Sequence, residues 1–261
     1  MSIPANHESL LTRQTLQQMT GVPDDVLGYW LKQNLLIPEP AEGRAHRRFK
    51  PIQIEVAMIL DAMRSLGANI SVLREFGGLL QNGIALAEAF GPLSIDELID
   101  VCELASRRLR FQAGEEVKVR SPEYIAWAEK VRCLPKPLPP ELHFYGEDLV
   151  SATSVADIER AALAVGDAEI HDRHAQFANG LNSWDLHSLR AYGDLLEARH
   201  NHSRARTWIW LCWIDREGRA AFVSGEDGNF PATQELPVAG FHIDLSRLAA
   251  RARAALDGGV L

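Results

Sequence analysis

Four cations stand within the eight residues GRAHRRFK, 43–50: Arg44, Arg47, Arg48 and Lys50, gathered around one aromatic, Phe49. Guanidinium and ammonium groups at this density suit a polyanion, because each donates charge-assisted hydrogen bonds to phosphate or carboxylate oxygens. The bland alternative is a solvated charged loop, which an isolated charge run usually is. A second set is His171, His174, His200 and His202, where HxxH on a helix and HxH nearby could hold a metal. Solvated polar helix faces explain the same spacing, and no metal is expected. HNH at 200–202 is not the nuclease of that name, whose residues come from separated positions of a ββα unit. GxSxG, P-loop and dinucleotide fingerprints do not occur. No cofactor and no enzymatic activity are expected.

These groups need elements to position them, and the charge distribution says where to look. Residues 1–76 carry eight Lys/Arg and eight Asp/Glu, whereas residues 77–261 carry 19 and 27. The acidity, formally -8 overall, therefore belongs to the later part of the chain. It excludes a general nucleic-acid sponge. It leaves room for one nucleic-acid-binding module, because the field at the contact surface is screened beyond a Debye length of about 10 Å. The 261 residues suffice for two modest domains or one large one. No apolar run approaches the roughly 18 residues that a membrane helix needs. MSIPANHESLL lacks the basic and apolar regions of a secretory signal. Cys102, Cys133 and Cys212 lie far apart without CxxC spacing, as expected in a reducing cytoplasm.

LLTRQTLQQMTGVPDDVLGYWLKQNLL, residues 10–36, predicts two short helices and a tight turn. Thr12 is a candidate N-cap, Leu16 and Met19 face inward, and Gly21 suits a positive φ. Asp24 or Asp25 opens the second helix, where carboxylates suit the helix dipole. Val26, Leu27, Trp30 and Leu31 recur at helical spacing, leaving Asp25, Gly28, Tyr29 and Lys32 outside. Leu35–Ile37 and His46–Phe49 predict a β-hairpin wing that offers its tip and second strand to a phosphate backbone. Pro51 opens a third helix that Gly67 ends, and Ile70, Leu73 and Phe76 mark a fourth.

The segment 11–80 resembles the DNA-binding domain of the MerR family of bacterial regulators. The blocks that carry this are TGV (20–22), GYW (28–30), NLLIP (34–38), HRRF (46–49) and MRSLG (63–67), in the family's order and spacing. The resemblance implies that Tyr29 and Arg47 touch DNA phosphates and that Trp30 lies in the core. It implies further contacts from Arg44, Arg48 and Lys50 on the wing and from Lys32 on the second helix, with Phe49 anchoring the wing. Gly28 stands where the family usually has arginine, and Asp24 and Asp25 where small polar or basic residues are common. The second helix therefore offers no clear arginine for a guanine edge.

The expected fold is mainly α with a smaller α+β part. Residues 1–80 make a winged helix-turn-helix domain and 81–132 a helical connector. The four prolines of CLPKPLPPELHFYG mark a linker over 133–150, followed by an α+β module over 151–261. Ser94 and Glu97 form a capping box for a helix over 94–112, which either pairs with a second copy, as the family resemblance implies, or packs against its own chain. Helices follow over 154–165 and 183–199, and a β-hairpin spans 207–225. WIWLCWI, apolar on both faces, is a central strand or a subunit contact. PVAGFHIDL can add a strand, before a last helix over 246–256. Trp208, Trp210 and Trp213 either line an effector pocket or fill a core.

The function expected is a sequence-specific transcription regulator that binds promoter DNA as a homodimer, at the nucleoid in the cytoplasm. An effector and RNA polymerase are further candidate partners, and a membrane is not. The alternative is a phage-type or architectural protein, excisionase-like or chromosome-organising, with the same winged helix.

Overall fold

The computed structural model describes residues 10–40, 47–91, 94–131, 148–163, 168–201, 207–226, 230 and 239–258. In chain order, β1 (Leu11–Thr12), α1 (Arg13–Thr20), α2 (Asp24–Lys32), β2 (Arg48–Phe49), α3 (Ile52–Ser65) and α4 (Ile70–Phe90) come first. Then follow α5 (Ile95–Gln112), β3 (Lys118–Arg120), α6 (Pro122–Val131), β4 (Leu149–Ser151), α7 (Val155–Leu163) and α8 (Ala168–Gly180). The chain closes with α9 (Ser183–Asn201), β5 (Trp208–Ile214), β6 (Ala220–Glu226), β7 (Phe241–Asp244) and α10 (Leu245–Leu256). The protein is mainly α, with small antiparallel sheets. No helix among the described residues is long and apolar enough to cross a membrane.

Two compact units emerge, residues 1–95 with 187–261, and residues 96–186. In the first, Thr12 caps α1 by accepting from Thr15 N at 3.0 Å, and Gly21 takes φ 74° to turn the chain into α2. Leu16, Leu27, Trp30, Phe49, Ile54, Leu60, Met63 and Phe76 form the core beneath them. α10 packs against α1 and α3, and β6 lies against α4. The three-stranded sheet runs β6-β5-β7, so WIWLCWI is its central strand, one of the two places that its two apolar faces allow. Polar groups hold the C-terminal elements to the helices: Glu55 of α3 pairs with Arg199 of α9, and Asn82 Nδ2 donates to Ser188 Oγ at 3.1 Å.

The wing departs from expectation. Leu35–Ile37 is not a strand; β2 instead pairs antiparallel with β1, Leu11 opposite Phe49 and Thr12 opposite Arg48. The reason is the supply of donors. Pro38 and Pro40 have no N–H, so a ladder cannot run through 37–40. One bond remains, from Glu39 N to Arg48 O at 2.8 Å, while Ile37 N donates to Gln53 Oε1 at 3.2 Å.

In the second unit, β3 pairs antiparallel with β4 and α7 packs on β3 and α8. Ser121 caps α6, accepting from Tyr124 N at 3.1 Å. Leu98, Val101, Cys102, Leu104 and Ala105 of α5 are buried, leaving Ile99 half exposed. Of the proline-rich segment 133–150, residues 133–147 lie outside the described residues.

Candidate nucleic-acid interface

Two short elements present the cations. α2 is held from below by Leu27, Trp30 and Leu31, and Trp30 keeps only 1% of its surface exposed. Its helical spacing throws Tyr29 to the opposite side, where 45% is exposed, and Lys32 is exposed at its C-terminal end. There the lysine also complements the dipole. β2 alternates as a strand must: Arg48 points out and Phe49, with 0% exposed, points into the core. Arg47 is exposed immediately before it. Neither Arg47, Arg48 nor Lys32 has an ion pair among the described residues. Arg44 lies outside them.

Lys50 is placed differently. Its Nζ lies 3.0 Å from Glu39 and 2.7 Å from Glu88. Burial pushes its ammonium down, but the hydrogen bonds and charges of Glu88 and Glu39 outweigh it, so its pKa stands above the ordinary lysine value. Lys50 thus ties the base of the wing to α4. A second tie is neutral. Gln53 and Gln81, both buried, exchange hydrogen bonds at 3.0 and 2.8 Å, and Gln81 Nε2 donates to Leu35 O at 2.9 Å. With Ile37 N on Gln53 Oε1, the two amides fix the chain leaving α2. A polar residue inside the apolar stretch PIQIEV was the sequence signal for Gln53.

Residues 12–77 match the family model described as MerR HTH family regulatory protein. They form a MerR-type helix-turn-helix domain. The match covers about a quarter of the 261 residues. Neither a curated protein nor a solved structure matches the chain. The MerR-type domain makes the chain a DNA-binding transcription regulator.

The other candidate sets lie outside the MerR-type domain. His174 is buried, with Nε2 3.9 Å from Glu97 of α5. The side chains of His171 and His200, and the whole of His202, lie outside the described residues, as does Cys133. No group of three or more metal-ligating side chains occurs among the described residues. Trp210 is a core residue: fully buried, stacked on Phe222 at 4.7 Å, with Nε1 donating to Asp194 Oδ2 at 2.7 Å. Burial pushes the Asp194 carboxyl up to about 6, although hydrogen bonds from Trp210 and Ser224 pull the other way. Cys212, buried beside that carboxylate, is raised well above the usual thiol value.

Proposed function

We propose that the chain is a sequence-specific regulator that binds promoter DNA as a homodimer, with α2 in the major groove and the wing on the phosphate backbone. The observation that carries this is positional. The MerR-type match at 12–77 coincides with the segment that leaves Arg47, Arg48, Lys32 and Tyr29 exposed. In this reading these four touch DNA, Arg44 adds a wing contact, and Lys50 reaches DNA only by leaving Glu39 and Glu88. A dimer follows from the size of that footprint, since one short helix and one wing reach few phosphates. Half-exposed Ile99 on α5 gives an apolar point for a second copy. Binding would occur at the nucleoid in the cytoplasm. RNA polymerase or an effector would act through the remaining surface. No catalysis is assigned.

Arg47→Ala with Arg48→Ala tests the wing in a salt-titrated anisotropy assay. Because phosphate contacts carry no sequence information, affinity should fall on specific and non-specific duplexes alike. The slope of log K against log salt should become shallower by roughly two units. An unchanged slope would sink the wing assignment. Light scattering tests assembly, and a 29.0 kDa species with and without DNA would sink the dimer.

A further inference from the structure

α2 carries no arginine, yet a guanidinium lies on its outer face. Arg13, the first residue of α1, is laid across Gly28. A Cβ built on that glycine would stand 2.9 Å from Arg13 Nη2, 3.4 Å from Cζ and 3.5 Å from Nη1. Nη2 donates twice to Asp24, to its carbonyl oxygen at 2.6 Å and to Oδ2 at 2.5 Å. Asp24 and Gly28 are four residues apart, one helical turn on the same face. The guanidinium is thus pinned at one end by Asp24 and seated where residue 28 has no side chain. Its remaining donors are uncommitted. Nε is buried without a hydrogen-bond partner, and Nη1 has none among the described residues.

From this arrangement we propose that Arg13 is a specificity-determining residue, which stands in for an α2 side chain and donates from Nη1 to a base edge, guanine O6 or N7 first. The proposal rests on the reading of α2 as the groove-facing helix. A base edge fits better than a phosphate for two reasons. The charge of Asp24 offsets that of Arg13, which weakens the pull on a phosphate but leaves a directional hydrogen bond intact. A planar fork held at two points is also preorganised, and direction is what base readout needs. Gly28 and Asp24 then have roles of their own, one as seat and the other as latch.

The test uses the full chain and a duplex enriched by it from a random-sequence library, beside a scrambled duplex. Arg13→Ala should lower affinity for the enriched duplex about tenfold or more, the scale of one base contact. It should leave the scrambled duplex within about twofold and relax the preference at one position per half-site. Gly28→Ala separates this from a structural role. Alanine suits a helix interior better than glycine, and the three atoms nearest its Cβ all belong to the flexible end of Arg13. The variant should therefore melt no lower than wild type, yet lose affinity as Arg13→Ala does, because the methyl evicts the guanidinium. The double variant should bind no worse than Arg13→Ala alone. Wild-type binding by both single variants overturns the proposal, and the wing reading stands if Arg47→Ala with Arg48→Ala still weakens binding. Equal weakening on both duplexes, with a salt slope shallower by about one unit, makes Arg13 a phosphate contact and overturns base readout. Failure of the wild-type chain to bind any duplex overturns this proposal and the function beneath it together.

Discussion

The outer face of the MerR-type domain and the seam on its inner side handle charge in opposite ways. Outside, Lys32, Arg47 and Arg48 are exposed and have no carboxylate partner among the described residues. At the seam, Glu55 keeps 4% of its surface and is paired with Arg199, and behind it, within the C-terminal elements, Asp194 of α9 receives the indole N–H of Trp210 of β5. A charge removed from water must find a partner in the protein, because its desolvation is costly. A charge left in water need not, and stays available for a ligand. Lys50 marks the border, half-buried and held by two glutamates. The difference teaches that stability and binding are carried by separate sets of residues, so substitutions should dissect them.

The largest effect is expected at the seam. Breaking a buried ion pair typically costs about 3–5 kcal/mol. Arg199 is 35% exposed, so Arg199→Ala should cost less, roughly 2–4 kcal/mol. An exposed pair gives the reference. Arg64 lies 2.7 Å from Asp61 on α3, and Arg64→Ala should cost under about 1 kcal/mol. Urea unfolding of both variants measures the gap. Equal midpoints would mean that the seam carries no special share of stability.

How much of this was legible in the sequence depended on how local each signal was. Thr12, Gly21 and Pro23 punctuate a helix, a turn and a helix within twelve residues, and the structure follows them. The central place of β5 was legible because its residues are apolar on both faces. The wing was read as one local hairpin, and it failed because β2 finds its partner at Leu11–Thr12, far back in the chain. α4 runs to Phe90, past the stretch its apolar spacing marked at Ile70, Leu73 and Phe76, with Gly77, Gly78 and Gly83 inside it rather than at its end. Gly83 serves close packing instead: a Cβ there would fall against the Ser188 carbonyl of α9. α6 went unread although Pro122 stood at a first helical position. Among candidate site residues, those on the family blocks were legible. Arg13 over Gly28, and the Gln53–Gln81 pair, depend on contacts that spacing along the chain does not reveal.

A smaller effect comes from Asp194, the α9 carboxyl held by Trp210 of β5. Its folded pKa is about 6, against about 3.9 for an unfolded aspartate. Between these values the folded chain holds a proton that the unfolded chain has released. Stability from this group is therefore full below about pH 4, falls as pH rises to about 6, and is flat above. The cost of ionising it in place is at most about 3 kcal/mol. Asp194→Asn keeps an oxygen for the Trp210 indole and removes the charge. The difference in urea midpoint between wild type and variant should therefore widen, in the variant's favour, from pH 4.5 to pH 7.5. A pH-independent difference would show that Asp194 does not titrate in that window.

The smallest effect separates Tyr29 from its neighbour Trp30. The two are adjacent, yet one is 45% exposed and the other 1%. Tyr29→Phe removes only a hydroxyl from the exposed ring. If that hydroxyl donates to a phosphate, DNA affinity should fall by about 1 kcal/mol, one neutral hydrogen bond, or roughly fivefold. The melting temperature should not move, since Trp30 carries the burial. The salt slope should not move either, because a neutral donor releases no counterion, whereas the loss of Arg47 and Arg48 should change it. Anisotropy titrations at several salt concentrations, with melts alongside, read all three quantities. A lowered melting temperature with unchanged affinity would reassign the Tyr29 hydroxyl to the fold, and the outer face would then end at Lys32 and the wing.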